Sequence, residues 1–149
     1  MADPGARAMT SEVAEAARRL LTPAAGDDRS PVAVAGRVAN AFERLSHHLA
    51  RLVGDLGVRT MFDRSLALTS ARYPWLASAR SSRNDASERA WSSLSTVMAQ
   101  HEPAVTIEAA VLVLSTFIGL LERLIGATLV ARLLEEVWPA MFGSDKGTP

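Results

Sequence analysis

Residues 106–138 read TIEAAVLVLSTFIGLLERLIGATLVARLLEEVW. The first half of this stretch is apolar almost all the way round, the pattern of a helix surrounded by neighbours on most sides. At 100° per residue, Glu108, Ser115, Gly119 and Glu122 fall within roughly 40° of one line and form a single narrow polar seam. The stretch therefore predicts a hydrophobic central helix over residues 104–123, with the rest of the chain packed around it. Gly126 divides or kinks the second half, and residues 127–138 read as an ordinary amphipathic helix ended by Pro139.

Working outward, the preceding segments are also helical in period. Residues 1–9 read as a disordered leader, and Thr10 or Ser11 is placed to cap a first helix that stops before Pro23. The segment 22–30, TPAAGDDRS, has the composition of a loop. Ser30-Pro31 starts a second helix, a capping hydroxyl followed by proline at the first helical position. In it Val38, Phe42, Leu45, Leu49, Leu52 and Leu56 are spaced 4, 3, 4, 3, 4, a bundle or dimer seam. That helix is expected to run to about Gly54–Gly57, with Gly57 breaking the pattern. A third helix is expected over residues 58–72, with Met61, Phe62, Ser65, Leu68, Thr69 and Arg72 inward, closed by Tyr73-Pro74. Residues 75–84 read as a loop, and a fourth helix, capped by Asn84 or Asp85, runs to Gln100. His101-Glu102-Pro103 makes the corner into the central helix. Met141 and Phe142 are expected to cover the bundle's end, and residues 143–149 read as a disordered tail. No internal repeat and no strand-period segment stands out. The fold class is thus all-α, a single-domain bundle of five or six helices spanning residues 10–142.

The bulk numbers agree. The chain has 149 residues, long enough for one domain with a substantial core, and is 48% hydrophobic and 21% charged, within the globular range. Formal net charge is zero, which argues against a general nucleic-acid binder or a polybasic membrane module. All the basic residues except Lys146 are Arg, a bias that a GC-rich bacterial genome explains as readily as a function does. There is no cysteine, which excludes disulfides, thiol catalysis and thiolate metal sites and fits a cytoplasmic location. The N-terminus lacks the apolar core of a secretory signal. The run 109–121, thirteen residues between glutamates, is shorter than the ~20 apolar residues a membrane-spanning helix needs. No transmembrane segment is expected.

The segments LALTSARYPWL (residues 66–76) and IGATLVARLLEEVWP (residues 125–139) carry an Arg followed by aromatic-Pro-Trp, and an Ile-Gly followed by a Leu-rich helix ending in Trp-Pro. Together they resemble pieces of short helical bacterial proteins of uncharacterised function. The resemblance implies an all-helical fold and a bacterial origin, and carries no activity.

The candidate chemistry is sparse. His47 and His48 lie on or beside the outward face of the second helix, as in a phosphotransfer domain, but the small residues that would let a partner approach are replaced by Arg51. His101 sits alone near a helix end, where an imidazole interacts well with the dipole. No ligand spacing for a metal, no phosphate-binding glycine loop and no cofactor motif occurs. Glu108 and Glu122 share a face but stand about 21 Å apart along a helix, too far to work on one bond. Ser115, Thr116 and Gly119 line either a solvent stripe or a small apolar-ligand pocket. Arg72, on an apolar face, is expected either to reach Glu108 or Glu122 in a buried ion pair or to extend to water. Six arginines between residues 59 and 89, near Tyr73, Trp75 and Trp91, form a basic surface without a recognition pattern, so no nucleic-acid partner is expected.

The expectation is a non-enzymatic interaction or regulatory module that meets a protein partner or a second copy of itself, through the Val38–Leu56 seam, with Leu45, Leu49 and Leu52 as the candidate interface, or through the C-terminal hairpin. The alternatives are a small-ligand sensor at Ser115/Gly119 and a histidine phosphotransfer protein.

Overall fold

The structure, a computed structural model, describes residues 4–22, 26, 28–79 and 90–139, with side chains for 13–22, 26, 28–78 and 94–139. Among these the chain is all helical, with five α-helices and no strand. They are α1 (Pro4–Leu21), α2 (Pro31–Thr69), α3 (Ala90–Met98), α4 (Pro103–Ile125) and α5 (Ala127–Val137), with a 3-10 helix, Pro74–Ala79, after α2.

The longest element is in effect two helices. Within α2, Gly54 has φ 79° and ψ 162°, a backbone conformation open essentially to glycine alone. Phe42 and Phe62 lie on either side of it, and twenty residues of straight helix would put them ~30 Å apart. Their ring centroids are 5.3 Å apart, edge to face. The chain therefore reverses at one residue, and α2 is a hairpin of a first arm, residues 31–53, and a second arm, residues 55–69. Gly126, between α4 and α5, has φ 92° and ψ 152°, nearly the same conformation. Two helices joined by one residue are oriented by that residue's dihedrals, so α4 and α5 form a second, similar hairpin.

Both elbows lie at one end of the bundle. Phe117 of α4 packs edge to face on Phe42 at 6.5 Å, so Phe42, Phe62 and Phe117 form one layer. At 1.5 Å per residue that layer is roughly 12 to 18 Å from each elbow glycine. The opposite end agrees: Trp75, beyond the second arm, stacks on His101, just before α4, at 4.0 Å and 25°. There Tyr73 meets Trp75 edge to face at 5.9 Å, and the Thr106 hydroxyl donates 3.0 Å to the Met98 carbonyl, fastening α3 to the start of α4. Arg18, near the end of α1, meets Glu108, near the start of α4, so α1 runs opposite to α4 and packs chiefly on it.

α4 is the central helix, one residue wider at the start and two at the end than the sequence indicates. Its inner face from Ile107 to Leu121 joins Val38, Phe42, Leu45 and Leu49 of the first arm and Phe62 and Leu66 of the second in one core. At 23 residues it is long and apolar enough to cross a membrane, which the 13-residue run did not suggest; half of its most apolar window is buried in the bundle.

Several local expectations are corrected. α1 begins at Pro4, so residues 4–9 are helical rather than a leader, and Thr10 and Ser11 lie inside the helix. The break falls at Gly54, within the expected end of the second helix, but Gly57 is not the breaker: it is an ordinary helical residue of the second arm. That arm ends at Thr69, with the Ser70 amide bonded to the Leu66 carbonyl, before the expected Arg72. Leu68 is 52% exposed, and Leu66 takes the inward place. Part of the loop after Pro74 is the 3-10 helix, which buries Leu76 completely. Ser30 does cap α2, its hydroxyl accepting from the Ala33 amide. The caps at Asn84 or Asp85, the Trp91 side chain, Met141, Phe142 and the 143–149 tail lie outside the described residues.

Candidate functional site

The end of the bundle that carries both elbows is the least covered apolar surface among the described residues. Its sequence is a repeat: Arg51-Leu52-Val53-Gly54 at one elbow and Arg123-Leu124-Ile125-Gly126 at the other. The match extends to structure. Arg51 and Arg123 are exposed, Val53 and Ile125 half-buried, and both glycines adopt positive φ. Leu52 is 50% and Leu124 61% exposed, and on the far sides Leu56 is 75% and Leu129 40% exposed. The expectation of no internal repeat is corrected to this extent.

The cause is the one-residue turn. A helix keeps its apolar stripe over the core only while a neighbour continues beside it. At a single-glycine elbow each arm ends without a loop to fold back, and its last apolar positions project into solvent. A Cβ built on Gly54 or Gly126 would meet nothing within 4 Å among the described residues.

Charge distinguishes this end as well. Within six residues of the two glycines lie Arg51, Arg59, Arg123 and Arg132 against Asp55 and Glu122, an excess of two positive charges in a chain whose formal net charge is zero. The result is an end with four exposed leucines and arginines close to them in the chain.

The residues singled out by sequence are distributed elsewhere. Leu45 and Leu49 are wholly buried inside the bundle and unavailable to a partner, which corrects their assignment to an interface; only Leu52, at the elbow, is exposed. The 4-3 seam is a core seam up to Leu49 and stops serving the core where the arm ends.

The expected buried ion pair of Arg72 does not form. Because the second arm ends at Thr69, Arg72 stands in the following turn, exposed, with its guanidinium carbon 5.9 Å from the Tyr73 ring centroid. Glu108 instead takes Arg18 in a two-bond fork, Nη2 to Oε1 at 2.7 Å and Nε to Oε2 at 3.1 Å, with both side chains about half exposed. The Arg18 bond holds the Glu108 carboxyl below its usual range, and the field of Arg72 adds slightly to that. Glu122 lies at the other end of α4.

Ser115, Thr116 and Gly119 are half-buried on α4, as are Leu112 and Leu120. A Cβ on Gly119 would touch nothing among the described residues. The Ser115 hydroxyl oxygen is screened from solvent and makes no hydrogen bond. His47 is exposed and His48 half-exposed on the first arm, with ring centroids 6.0 Å apart, and the His48 Nδ1 lies 3.1 Å from the Arg44 carbonyl. A shallow concavity of about 570 Å³ follows one face of the first arm at Ala33, Gly36, Arg37, Asn40 and Glu43. Among the described residues no three metal-ligating side chains converge.

Sequence reasoning missed the equivalence of the elbows and the exposure of Leu56, Leu124 and Leu129 beside them. The signal was the repeated Arg-Leu-(Val/Ile)-Gly. No protein-family profile matches the chain, and neither a curated protein nor a solved structure matches it significantly.

Proposed function

We propose that this chain is a non-enzymatic interaction or regulatory module that works by surface contact, and that its contact surface is the end of the bundle with the two elbows. The observation that carries the reading is the paired exposure of Leu52 and Leu124 in the same tetrapeptide and the same backbone conformation. Large apolar side chains gathered at one uncovered end of a helical bundle mark an interaction surface. Changing them to glutamine tests it. The Leu52→Gln/Leu124→Gln double variant should keep the helical circular dichroism and melting temperature of the parent while losing association with whatever the parent binds, itself included. Identical behaviour of parent and variant in every association assay would sink the reading.

A second reading, a sensor of small apolar ligands, is favoured by the screened, unbonded Ser115 hydroxyl between Leu112 and Gly119. Buried polar atoms ordinarily have partners. A thermal-shift screen with apolar alcohols and amides tests it, and a Ser115→Ala variant that responds like the parent would remove Ser115 from any site.

A further inference from the structure

We infer that the partner of the elbow end is the surface of an anionic lipid bilayer, with the leucines entering the headgroup boundary and the arginines meeting lipid phosphates. This rests on the reading of that end as the contact surface, and it adds the chemistry of the surface contacted.

Three features select this occupant. The first is charge: each elbow sets an exposed Arg next to an exposed Leu, Arg51 with Leu52 and Arg123 with Leu124. An anionic lipid surface satisfies both at once, since cationic side chains are drawn to the headgroups while apolar ones insert beside them. A second copy docked tip to tip would instead bring the same arginines face to face, where like charges repel.

Shape is the second. Among the described residues neither elbow glycine has a neighbour within 4 Å of where a Cβ would stand, so no described cleft forms at the elbow backbone to grip a partner's side chain. A bilayer interface deforms around a protruding leucine and needs no complementary cavity.

The third is the spread of the apolar groups. Four leucines on two separate hairpins lie at one end of the bundle, and each alone would hold weakly. Fixed together by the Phe42, Phe62 and Phe117 layer, they enter one surface in a single event. Zero net charge over the whole chain is no obstacle, because screening confines the attraction to charges within about a Debye length of the surface, ~8 Å at physiological salt.

The test is co-sedimentation of the full chain with vesicles of phosphatidylcholine alone and of phosphatidylcholine mixed with phosphatidylglycerol, alongside light scattering without lipid. The parent should bind the phosphatidylglycerol vesicles, bind phosphatidylcholine vesicles far less, and detach as salt is raised. Arg51→Gln/Arg123→Gln should weaken binding about tenfold or more, and Leu52→Gln/Leu124→Gln by a similar factor. The residues are exposed, and unchanged circular dichroism establishes that the variants are folded. No binding to either vesicle, or binding unaffected by both double variants, overturns the proposal. If vesicles fail but scattering shows a self-association that the leucine variant abolishes, the lipid surface is wrong and the elbow end remains an interface. If neither assay responds to the variants, the interface reading falls with it.

Discussion

Phe42 and Phe62 stand twenty residues apart in the chain, on either side of Gly54, yet their ring centroids lie only 5.3 Å apart, edge to face. That contact exists only because Gly54 turns the chain back in a single residue. With Phe117 arriving from α4, the same layer joins both hairpins.

The elbow glycines should be intolerant of a side chain for reasons of backbone alone. Neither faces a neighbour, so Gly54→Ala and Gly126→Ala introduce no clash, yet both force alanine into a region it rarely adopts. Each should cost about 1–3 kcal/mol. Chemical denaturation of the two variants gives the number directly.

Gly36 and Gly119 should behave in the opposite way. Both sit in helices at ordinary dihedrals with open space around the missing Cβ. Gly36→Ala and Gly119→Ala should stabilise by about 0.5–1 kcal/mol, through the reduced freedom of the unfolded chain. A marked loss at Gly119 would show that the open space beside it is needed.

Leu45 and Leu52 lie two turns apart on the same stripe and should respond very differently. Leu45 is wholly buried, so Leu45→Ala leaves a cavity and should cost about 2–5 kcal/mol. Leu52→Ala, at a half-exposed site, should change stability by under about 0.5 kcal/mol. Melting curves of the pair decide whether the seam is divided where the first arm ends.

The Arg18–Glu108 fork should add a small acid-sensitive component. The Glu108 carboxyl titrates lower in the folded protein than in the unfolded chain, so its contribution is present above the ordinary carboxylate range and is lost as pH falls through the folded value. Since the pair is half exposed and screened, the contribution is about 0.5 kcal/mol. Glu108→Gln should lower stability by that amount at about pH 6 and by less at an acid pH below the ordinary carboxylate range. An equal deficit at both pH values would mean the fork is not the source.

The central helix was legible because its signal is compositional: a long apolar run with one narrow polar seam leaves few places to put it. Helix starts at Ser30-Pro31 and Glu102-Pro103 were legible because proline fixes the local backbone. The elbow was not. The 4-3 spacing from Val38 to Leu56 passes through Gly54 unbroken, and a hydrophobic period cannot report the sign of φ, so Gly57 looked the equally good break. Arg72 was misplaced for a related reason: the second arm ends three residues early, and a shift of three residues turns a helical position by 300°. The repeated Arg-Leu-(Val/Ile)-Gly was present in the letters, but four matching residues without a period mean little until both copies adopt one backbone shape.

The way α1 is mounted has a consequence for the order in which the molecule loosens. It rests chiefly on α4, and its described buried residues are Val13, Ala16, Ala17 and Leu21, half of them alanines with little area to bury. The fork to Glu108 is its one described ion pair and is open to water. Residues 13–21 are thus held by little buried area, and a helical segment so held is the natural first unit to open. Its backbone amides should therefore exchange with solvent ahead of those of the α2 and α4 cores, while the hairpins stay closed around the phenylalanine layer.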